Sequence, residues 1–230
     1  MELEKMTTYH HDIIQGTQEW HDLRRGVLTS SAIRTLITPT GKLADNEKVR
    51  AHVYEIAAQR LTGRTEPTFM SFEMMRGHEE EVLARNLYSE KYAPVKECGF
   101  VTRNGVGYSP DGLVGEDGLI EIKSAKQRIQ VERIIANVCP PEHYAQIQTG
   151  LWVTGRAWCD FVSYSNGMPM LVVRVLPDAT YFDLIDQAVV RFAEQVGAMT
   201  SKYLWNANGL HVAPYIEPIT GDEIEASDEV

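Results

Sequence analysis

The stretch Ser109-Pro110-Asp111-Gly112, followed after a short spacer by Glu121-Ile122-Lys123, predicts a β-hairpin at the centre of the chain. The spacer is rich in glycine and contains Asp117-Gly118, a pair that is typical of hairpin turns. Residues 108–114 and 119–123 are therefore predicted to be antiparallel neighbours. The turn between them brings Asp111 close to Glu121.

The predicted hairpin places two carboxylates and an ammonium on one face. Side chains alternate along a strand, so Glu121 and Lys123 point to the same side while Ile122 points into the core. Magnesium prefers oxygen ligands and usually takes one or two carboxylates, which suits Asp111 and Glu121. A lysine beside the metal can orient the attacking water or neutralise charge on the phosphorus, and Lys123 is the candidate. The alternative is a solvated hairpin with an ordinary Asp-Gly turn and a surface ion pair.

Pro110-Asp111 and Glu121-Ile122-Lys123 together resemble the PD-(D/E)xK nuclease motif. Further segments resemble one branch of that superfamily, the lambda exonuclease and YqaJ-type viral recombinases. The resemblance implies an α/β fold with a restriction-endonuclease-like core, in which helices flank a mixed central β-sheet. It also implies that Asp111, Glu121 and the Ile122 backbone carbonyl bind Mg²⁺, for which Mn²⁺ can substitute, and that Lys123 assists catalysis.

Residues 19–31 resemble the opening motif of the same family, in which an arginine and a serine bind the 5′-phosphate at a DNA end. The matching residues are Arg24 and Ser31, and the family uses a serine at the position of Ser109 for the same purpose. An arginine offers a bidentate fork to phosphate oxygens, and Ser30-Ser31 can cap a helix whose N-terminal amides attract anions. The alternative is a plain capped helix over residues 31–37, preceded by a surface basic pair.

Residues 75–88 resemble the G-x-x-x-E-x-x-A helix of the family. The glutamate of that helix lies at the metal site, so the resemblance makes Glu81 a third acidic group there. Glu79 and Glu80 are expected to be solvated. Four apolar residues fit the spacing of a half-buried helix, namely Val82, Leu83, Leu87 and Tyr88. Without the resemblance, three glutamates near a helix start are explained by their interaction with the helix dipole.

A further helix is predicted to begin after Pro140-Pro141 and to end at Gly155, a good C-terminal cap. It resembles the Q-x-Q helix of the family, and Gln146 matches the first glutamine, which lies in the active site. Gln148 is predicted to face elsewhere, because residues two apart on a helix point in different directions.

The family also uses an apolar wedge just before the G-x-x-x-E helix to split the terminal base pairs of DNA. Met74 occupies that place, and Phe72 and Met75 are its neighbours. The alternative for all three is a position in the buried core.

The composition fits one globular domain. The chain has 230 residues, of which 43% are hydrophobic, enough for one sizeable core. No apolar run approaches the ~20 residues needed to span a bilayer, and the first residues do not form a signal segment. We therefore expect a cytoplasmic protein with no membrane contact. Cys98, Cys139 and Cys159 are widely spaced and odd in number, which fits reduced thiols and argues against a cysteine-ligated cluster.

The net charge of −10, from 22 basic and 32 acidic residues, is unusual for a protein that binds a polyanion. Some acids are needed for magnesium, and others lie close to the C-terminus: Glu217, Asp222, Glu223, Glu225, Asp228 and Glu229. The chain is predicted to form a single nuclease domain over residues 1–203 and an acidic tail over residues 204–230. The remaining basic side chains can still line a local DNA path.

The other predicted elements follow from local signals. Residues 46–61 are predicted to be helical, and residues 158–164 and 170–176 are predicted strands joined by a turn at Asn166-Gly167. A long closing helix begins near Asp178, because apolar residues recur from there at helical spacing.

The resemblance implies a Mg²⁺-dependent exonuclease that degrades one strand of linear double-stranded DNA in the 5′-to-3′ direction from a 5′-phosphorylated end. The 3′ single-stranded overhangs would serve recombination by single-strand annealing. It also implies a ring-shaped homotrimer and a phage-type single-strand annealing protein as partner.

Two alternatives remain open. One is a restriction or structure-specific endonuclease, which would share the metal residues without needing the proposed 5′-phosphate pocket. The other is a non-catalytic DNA-binding protein on the same fold. The intact Asp111, Glu121 and Lys123 argue against the second alternative.

Overall fold

The computed structural model describes residues 6–66 and 71–217, and within them the chain forms nine strands and seven helices. The strands are β1 (Thr8–His10), β2 (Leu28–Thr29), β3 (Val95–Lys96), β4 (Phe100–Arg103), β5 (Val106–Tyr108), β6 (Gly112–Val114), β7 (Gly118–Ser124), β8 (Trp158–Tyr164) and β9 (Leu171–Val175). The helices are α1 (Gln18–Arg24), α2 (Ile33–Leu36), α3 (Glu47–Thr62), α4 (Phe72–Lys91), α5 (Gln127–Ala136), α6 (Pro141–Thr154) and α7 (Ala179–Ala207).

The strands form two mixed sheets. The first has the order β1-β4-β5-β2, in which β2 is parallel to β5 and the other neighbours are antiparallel. The second has the order β3-β6-β7-β8-β9, in which β7 and β8 are parallel. Helices cover both sheets, so the fold belongs to the α/β class predicted from the sequence.

The central hairpin forms, but its first strand differs from the prediction. Residues 108–114 are not one strand, because the chain leaves the first sheet after Tyr108 and enters the second at Gly112. Pro110 lies at this crossing, and a proline has no amide hydrogen to donate to a strand partner. The crossing puts Asp111 at the junction between the two sheets.

The turn of the hairpin is also displaced from Asp117-Gly118. Val114 pairs with Gly118, so the turn consists of residues 115–117, and Gly115 adopts a φ of 53°. Gly118 belongs to β7, where a Cβ would lie 2.2 Å from the ring of Trp158. A glycine is needed there because the indole packs directly against the backbone.

The buried residues form two cores, one on each side of the second sheet. The larger contains residues from β7, β8, α6 and α7, including Leu119, Phe161, Leu151 and Ile185. The smaller lies between α4 and the opposite sheet face, and Ile122 packs there as predicted. Glu121 and Lys123 therefore point toward the side of the larger core.

The predicted orientation of α4 is wrong in two respects. Val82 and Leu83 are about half exposed, whereas Tyr88 is buried as predicted and forms the buried face with Ala84, one turn before it. Glu80 is not solvated either. Its carboxylate accepts a hydrogen bond from the Ser124 hydroxyl, which docks α4 onto the end of β7.

Helix ends agree closely with the local signals. The Asn46 side chain caps α3, Gly63 ends it with a φ of 65°, and Asp178 caps α7. Gly155 ends α6 in the same left-handed conformation. The sequence analysis did not predict α5.

The closing helix continues beyond residue 203 to Ala207, and residues 208–217 have no regular structure. The rest of the predicted acidic tail, residues 218–230, lies outside the described residues. In the part of the chain that the structure describes, no helix has both the length and the apolar character needed to cross a bilayer.

Candidate active site

The hairpin brings Asp111 and Glu121 together, as predicted. Asp111 precedes β6, and its Oδ2 atom accepts a 2.6 Å hydrogen bond from the backbone N–H of Ile122. This bond ties the Asp111 carboxylate to β7, next to the residue that bears the second carboxylate.

Glu121 is fully buried, and each of its carboxylate oxygens accepts one hydrogen bond. The Lys123 ammonium donates to Oε1 at 2.6 Å, and the Tyr108 hydroxyl donates to Oε2 at 3.1 Å. Glu121 and Lys123 thus share one face of β7. Tyr108 did not emerge from the sequence, because its phenol reaches Glu121 from the other sheet.

The charges of Asp111, Glu121 and Lys123 act strongly on one another. Burial raises the pKa of Asp111 well above its usual range, and the negative charges of Glu121 and Glu81 raise it further. Burial alone would lower the pKa of Lys123, but the neighbouring Glu121 and Asp111 carboxylates outweigh this effect and raise it. Lys123 is therefore an ammonium at neutral pH.

Glu81 lies on α4, close enough for its charge to act on both Asp111 and Lys123. Its Oε1 atom accepts a 2.8 Å hydrogen bond from Arg85, one turn further along the helix. Among the described residues, no three His, Cys, Asp or Glu side chains form a ready-made metal-binding group. The three acids are instead each hydrogen-bonded within the protein.

The donor set nevertheless fits a hard divalent cation. Asp111, Glu121 and Glu81 supply only oxygen atoms. Lys123 pairs with Glu121 and Arg85 with Glu81, so the three carboxylates outnumber these two cations. Burial is the main cause of the raised pKa of Asp111, and the negative charges of Glu121 and Glu81 add to it. A divalent cation would balance the excess carboxylate charge.

Helix α6 packs beside the site through residues on both sides of Gln146. Gln146 lies one turn after His143 and one turn before Gly150. His143 stacks on Phe161, the cross-strand partner of Glu121, and Gly150 packs against the Tyr108 ring. Gln146 is half-buried between them, and its side chain makes no hydrogen bond with the described residues.

Gln148 faces away from the site, as predicted. Its side-chain amide donates to the Leu176 carbonyl at 2.8 Å and accepts from the Asp178 N–H at 2.9 Å. It therefore joins α6 to the start of α7.

Arg133 and His143 extend the site. Arg133 was missed because α5 was not predicted, whereas His143 lies on the predicted α6 but was assigned no role. Arg133 donates to the Ser163 hydroxyl at 3.0 Å, and Ser163 is the cross-strand partner of Lys123. A second guanidinium nitrogen lies 2.9 Å from His143 Nε2. Burial lowers the pKa of His143 to about 3, and the positive charges of Lys123, Arg133 and Arg34 act in the same direction. The imidazole is therefore neutral and can accept the bond from Arg133.

Arg24 and Ser109 of the predicted 5′-phosphate pocket are in contact. The Arg24 guanidinium donates to Ser109 Oγ at 2.9 Å, two residues before Asp111. The Trp20 indole donates to the same oxygen at 3.0 Å, and the Arg24 guanidinium lies 4.1 Å from the Trp20 ring centroid. Both bonds use Ser109 as an acceptor, so its hydroxyl hydrogen stays available to a ligand.

Burial lowers the pKa of Arg24 to about 10, which still leaves it charged at neutral pH. Trp20 is a functional candidate whose role is not apparent from the sequence motif alone. It orients both Arg24 and Ser109.

Ser31 lies at the same end of the first sheet but forms no side-chain hydrogen bond with Arg24 or Ser109 in the described structure. Strands β2 and β5 are parallel, with Thr29 opposite Gly107. Ser31 and Ser109 each lie two residues beyond this pair.

The predicted capping of a helix by Ser30-Ser31 is wrong. Helix α2 has only four residues, begins after Ala32 and has no side-chain cap. The exposed Ser31 hydroxyl lies 3.2 Å from that of Thr29.

The chain is similar to known proteins in both sequence and fold. The family model of the YqaJ-like viral recombinase domain matches residues 19–157. The alkaline exonuclease LHK-Exo of Laribacter hongkongensis is 34% identical to the chain, over 85% of this chain and 100% of that one, with a TM-score of 0.75. Its complex with dAMP is 33% identical, with the same coverage and a TM-score of 0.76.

A phage-related exonuclease from Haemophilus somnus 129PT is 14% identical, over 79% of this chain and 98% of that one, with a TM-score of 0.60. At this identity the likeness shows the fold alone. No curated protein matches the sequence. The α/β nuclease fold and the family expected from the sequence are confirmed. Because the family model spans more than half of the residues, the chain belongs to the YqaJ-like viral recombinase family.

Proposed function

We propose that the chain is a Mg²⁺-dependent 5′-to-3′ exonuclease that degrades one strand of linear double-stranded DNA from a 5′-phosphorylated end. Membership of a recombinase family and the similarity to an alkaline exonuclease support a recombination-related exonuclease. The observation that carries the finer proposal is the Arg24–Ser109 contact, two residues from the Asp111 carboxylate. It joins a candidate phosphate pocket to the candidate catalytic residues.

Asp111, Glu121 and Glu81, with the Ile122 carbonyl, would hold the Mg²⁺ ion. When bound, the ion would lower the pKa of a coordinated water and offset charge on the scissile phosphate, and Mn²⁺ could replace it. The protein holds two of these carboxylates in place through the bonds of Asp111 to Ile122 and of Glu121 to Tyr108 and Lys123.

Lys123 would act as a charged hydrogen-bond donor and not as a neutral base, because its neighbours raise its pKa. An ammonium beside the carboxylates can orient the attacking water or stabilise the charge that develops on phosphorus. The Gln146 amide would donate to a phosphate oxygen or hold the water.

The phosphate pocket would give the reaction its dependence on DNA ends. Arg24 can offer a guanidinium fork and Ser109 a hydroxyl to a terminal 5′-phosphate, and Ser31 would join them from the end of β2. Each cleavage exposes a new 5′-phosphate, which electrostatic attraction would draw into the same pocket. Repetition of this step would move the enzyme in one direction and leave a 3′ single-stranded overhang.

The partners follow as part of the proposal. The enzyme would assemble as a homotrimeric ring around the DNA, and a phage-type single-strand annealing protein would take up the overhang that it produces.

The decisive experiment uses Mg²⁺ and a linear duplex labelled on each strand, with a 5′-phosphate on one end and a 5′-hydroxyl on the other. A closed circular duplex is present in the same reaction. Rapid nucleotide release from the phosphorylated end, with an intact circle, is the expected result. Cleavage of the circle would identify an endonuclease, and absence of hydrolysis would identify a DNA-binding protein.

The Arg24→Gln variant tests the phosphate pocket independently of the catalytic residues. This variant should lose most of the preference for the 5′-phosphorylated end while it still hydrolyses DNA slowly. The matched control is Arg25→Gln, because Arg25 is adjacent but forms an ion pair with Asp22. Equal loss of preference in both variants would disprove the role of Arg24.

A further inference from the structure

The phenol of Tyr108 is a buried polar group in direct contact with Glu121, a residue of the proposed metal site. Tyr108 is the last residue of β5 and is fully buried. Its hydroxyl donates to Glu121 Oε2 at 3.1 Å, while Lys123 occupies Oε1 at 2.6 Å. The two donors bind different oxygens and so determine the orientation of the carboxylate plane.

A glycine inside α6 provides the space for this phenol, although glycine destabilises a helix. Gly150 lies inside α6, between buried Thr149 and Leu151, where a glycine costs about 1 kcal/mol relative to alanine. A Cβ atom at Gly150 would lie 2.8 Å from Cζ of the Tyr108 ring. The missing side chain lets the ring pass beneath α6 and reach β7.

We infer that Tyr108 is a positioning residue that orients the Glu121 carboxylate for metal binding, with Gly150 providing the space. The inference rests on the proposed metal site. A carboxylate has about four lone-pair positions, and the two donors occupy one on each oxygen, which leaves the others for a metal ion. Without the phenol, only Lys123 would orient Glu121, and the carboxylate could rotate about its Cγ–Cδ bond.

The test is Tyr108→Phe, which removes the hydroxyl and keeps the ring against Gly150. Mn²⁺ binding is measured by calorimetry in the absence of DNA. Loss of a hydrogen bond to a metal ligand typically weakens metal affinity about 10–100-fold, and we expect a loss of this size. The Mg²⁺ concentration that gives half-maximal cleavage should rise by the same factor. The KM for DNA and the rate at saturating Mg²⁺ should change little.

Tyr88→Phe is the matched control. Its hydroxyl donates at 2.7 Å to the buried carboxylate of Asp160 in the smaller core, and so it loses a bond of the same kind. Both variants should lose stability, but only Tyr108→Phe should lose Mn²⁺ affinity. A purely structural role for Tyr108 predicts the same Mn²⁺ affinity in both variants.

Gly150→Ala gives a second, independent approach to the same contact. The added methyl group should displace the ring and weaken Mn²⁺ binding in the wild-type background. It should have no further effect on Mn²⁺ affinity in the Tyr108→Phe background, because the hydroxyl is already gone. Additive effects would contradict the inference.

The two possible failures are distinguishable. If the wild-type chain binds Mn²⁺ and Tyr108→Phe binds it equally well, the inference is overturned and the proposed function stands. If the wild-type chain does not bind Mn²⁺, the proposed metal site and the inference fail together.

Discussion

Glu121 shows how individual residues set the electrostatics of the candidate site. Its carboxylate is fully buried, and burial of a charge is costly unless it is paired and hydrogen-bonded. Lys123 and Tyr108 satisfy both requirements. Arg85 pairs with Glu81, but neither this guanidinium nor the Lys123 ammonium forms an ion pair with Asp111, so three carboxylates face two cations and the site suits a divalent cation.

At Lys123, replacement by methionine should abolish the charge and keep the length of the side chain. We expect the cleavage rate to fall about 10²–10³-fold, the size of effect seen when a charge-stabilising donor is removed. Single-turnover cleavage at saturating Mg²⁺ measures this rate, and a gel-shift assay should show retained DNA binding. Lys126→Met is the control, because Lys126 is exposed and pairs with Glu73. A wild-type rate in Lys123→Met would contradict the catalytic assignment.

His143 should make stability depend on pH. The unfolded imidazole binds a proton near pH 6.5, whereas burial lowers the folded pKa to about 3. Between these values the unfolded state holds more protons, so the free energy of unfolding falls as pH is lowered, by up to about 1.4 kcal/mol per pH unit. Above pH 6.5 this contribution to stability is complete.

Urea unfolding from pH 7 to pH 4 compares the wild-type chain with His143→Gln, in which the slope should be smaller. Carboxylates contribute to the slope in both proteins and cancel in the difference. His11→Gln removes an exposed imidazole and should leave the slope unchanged. Equal slopes for wild type and His143→Gln would refute the prediction.

At the scale of elements, α6 serves both the site and the fold. Gln146 lies between His143 and Gly150, which pack against Phe161 and Tyr108, whereas Gln148 joins the end of β9 to the start of α7 through two hydrogen bonds. The spacing of two residues puts the glutamines on different sides of the helix. Their substitutions should therefore affect different properties.

Gln148→Ala should lower the free energy of unfolding by about 2–3 kcal/mol, because it leaves the Leu176 carbonyl and the Asp178 N–H unpaired. The folded protein should still cleave DNA at the wild-type rate. Gln146→Ala should change stability by less than about 1 kcal/mol but slow cleavage at least about tenfold. Denaturant titration and single-turnover cleavage of both variants measure the contrast. If both variants changed stability and cleavage rate alike, the separate roles of Gln146 and Gln148 would be disproved.

The start of α4 exposes three large apolar side chains, which excludes the buried-core alternative for them. Phe72, Met74 and Met75 are 79%, 46% and 49% exposed. Phe72→Ala should therefore leave stability unchanged. If Phe72 separates the terminal base pair, cleavage of a fully paired duplex should slow about tenfold, since one stacking step costs about 1.4 kcal/mol.

A duplex with mismatched terminal base pairs distinguishes a wedge from other roles of Phe72. Phe72→Ala should cleave this substrate as fast as the wild type, because the strands are already separated. Ile135→Ala, at an equally exposed position on α5, should have no effect on either substrate. Equal slowing of Phe72→Ala on both substrates would contradict a wedge.

At the scale of the whole molecule, the proposed ring predicts a mass of three 25.9 kDa chains in native mass spectrometry. Closed cyclic symmetry around DNA would prevent release between successive cuts. Degradation of a long duplex should therefore continue after excess unlabelled DNA is added. A monomeric mass, with degradation that stops as soon as unlabelled DNA is added, would contradict the ring.

Much of the fold follows from local signals in the sequence. Residues 158–164 form β8 as predicted, because aromatic and branched side chains favour a strand. Asn46, Gly63, Gly155 and Asp178 mark helix ends because their backbone or side chains satisfy terminal groups within a few residues. Short strands and α5 were missed, since they carry few such signals.

The candidate site was only partly predictable for the same reason. The sequence by itself determined which acids, lysine, arginine and serines are available, and that a hairpin brings Asp111 to Glu121. Only the tertiary structure decided that Trp20 and Arg24 meet Ser109, more than 80 residues away, and that the Tyr108 phenol reaches Glu121 beneath Gly150. Such contacts depend on how separate elements pack, and the periodicity and capping of one segment contain no information about its distant neighbours.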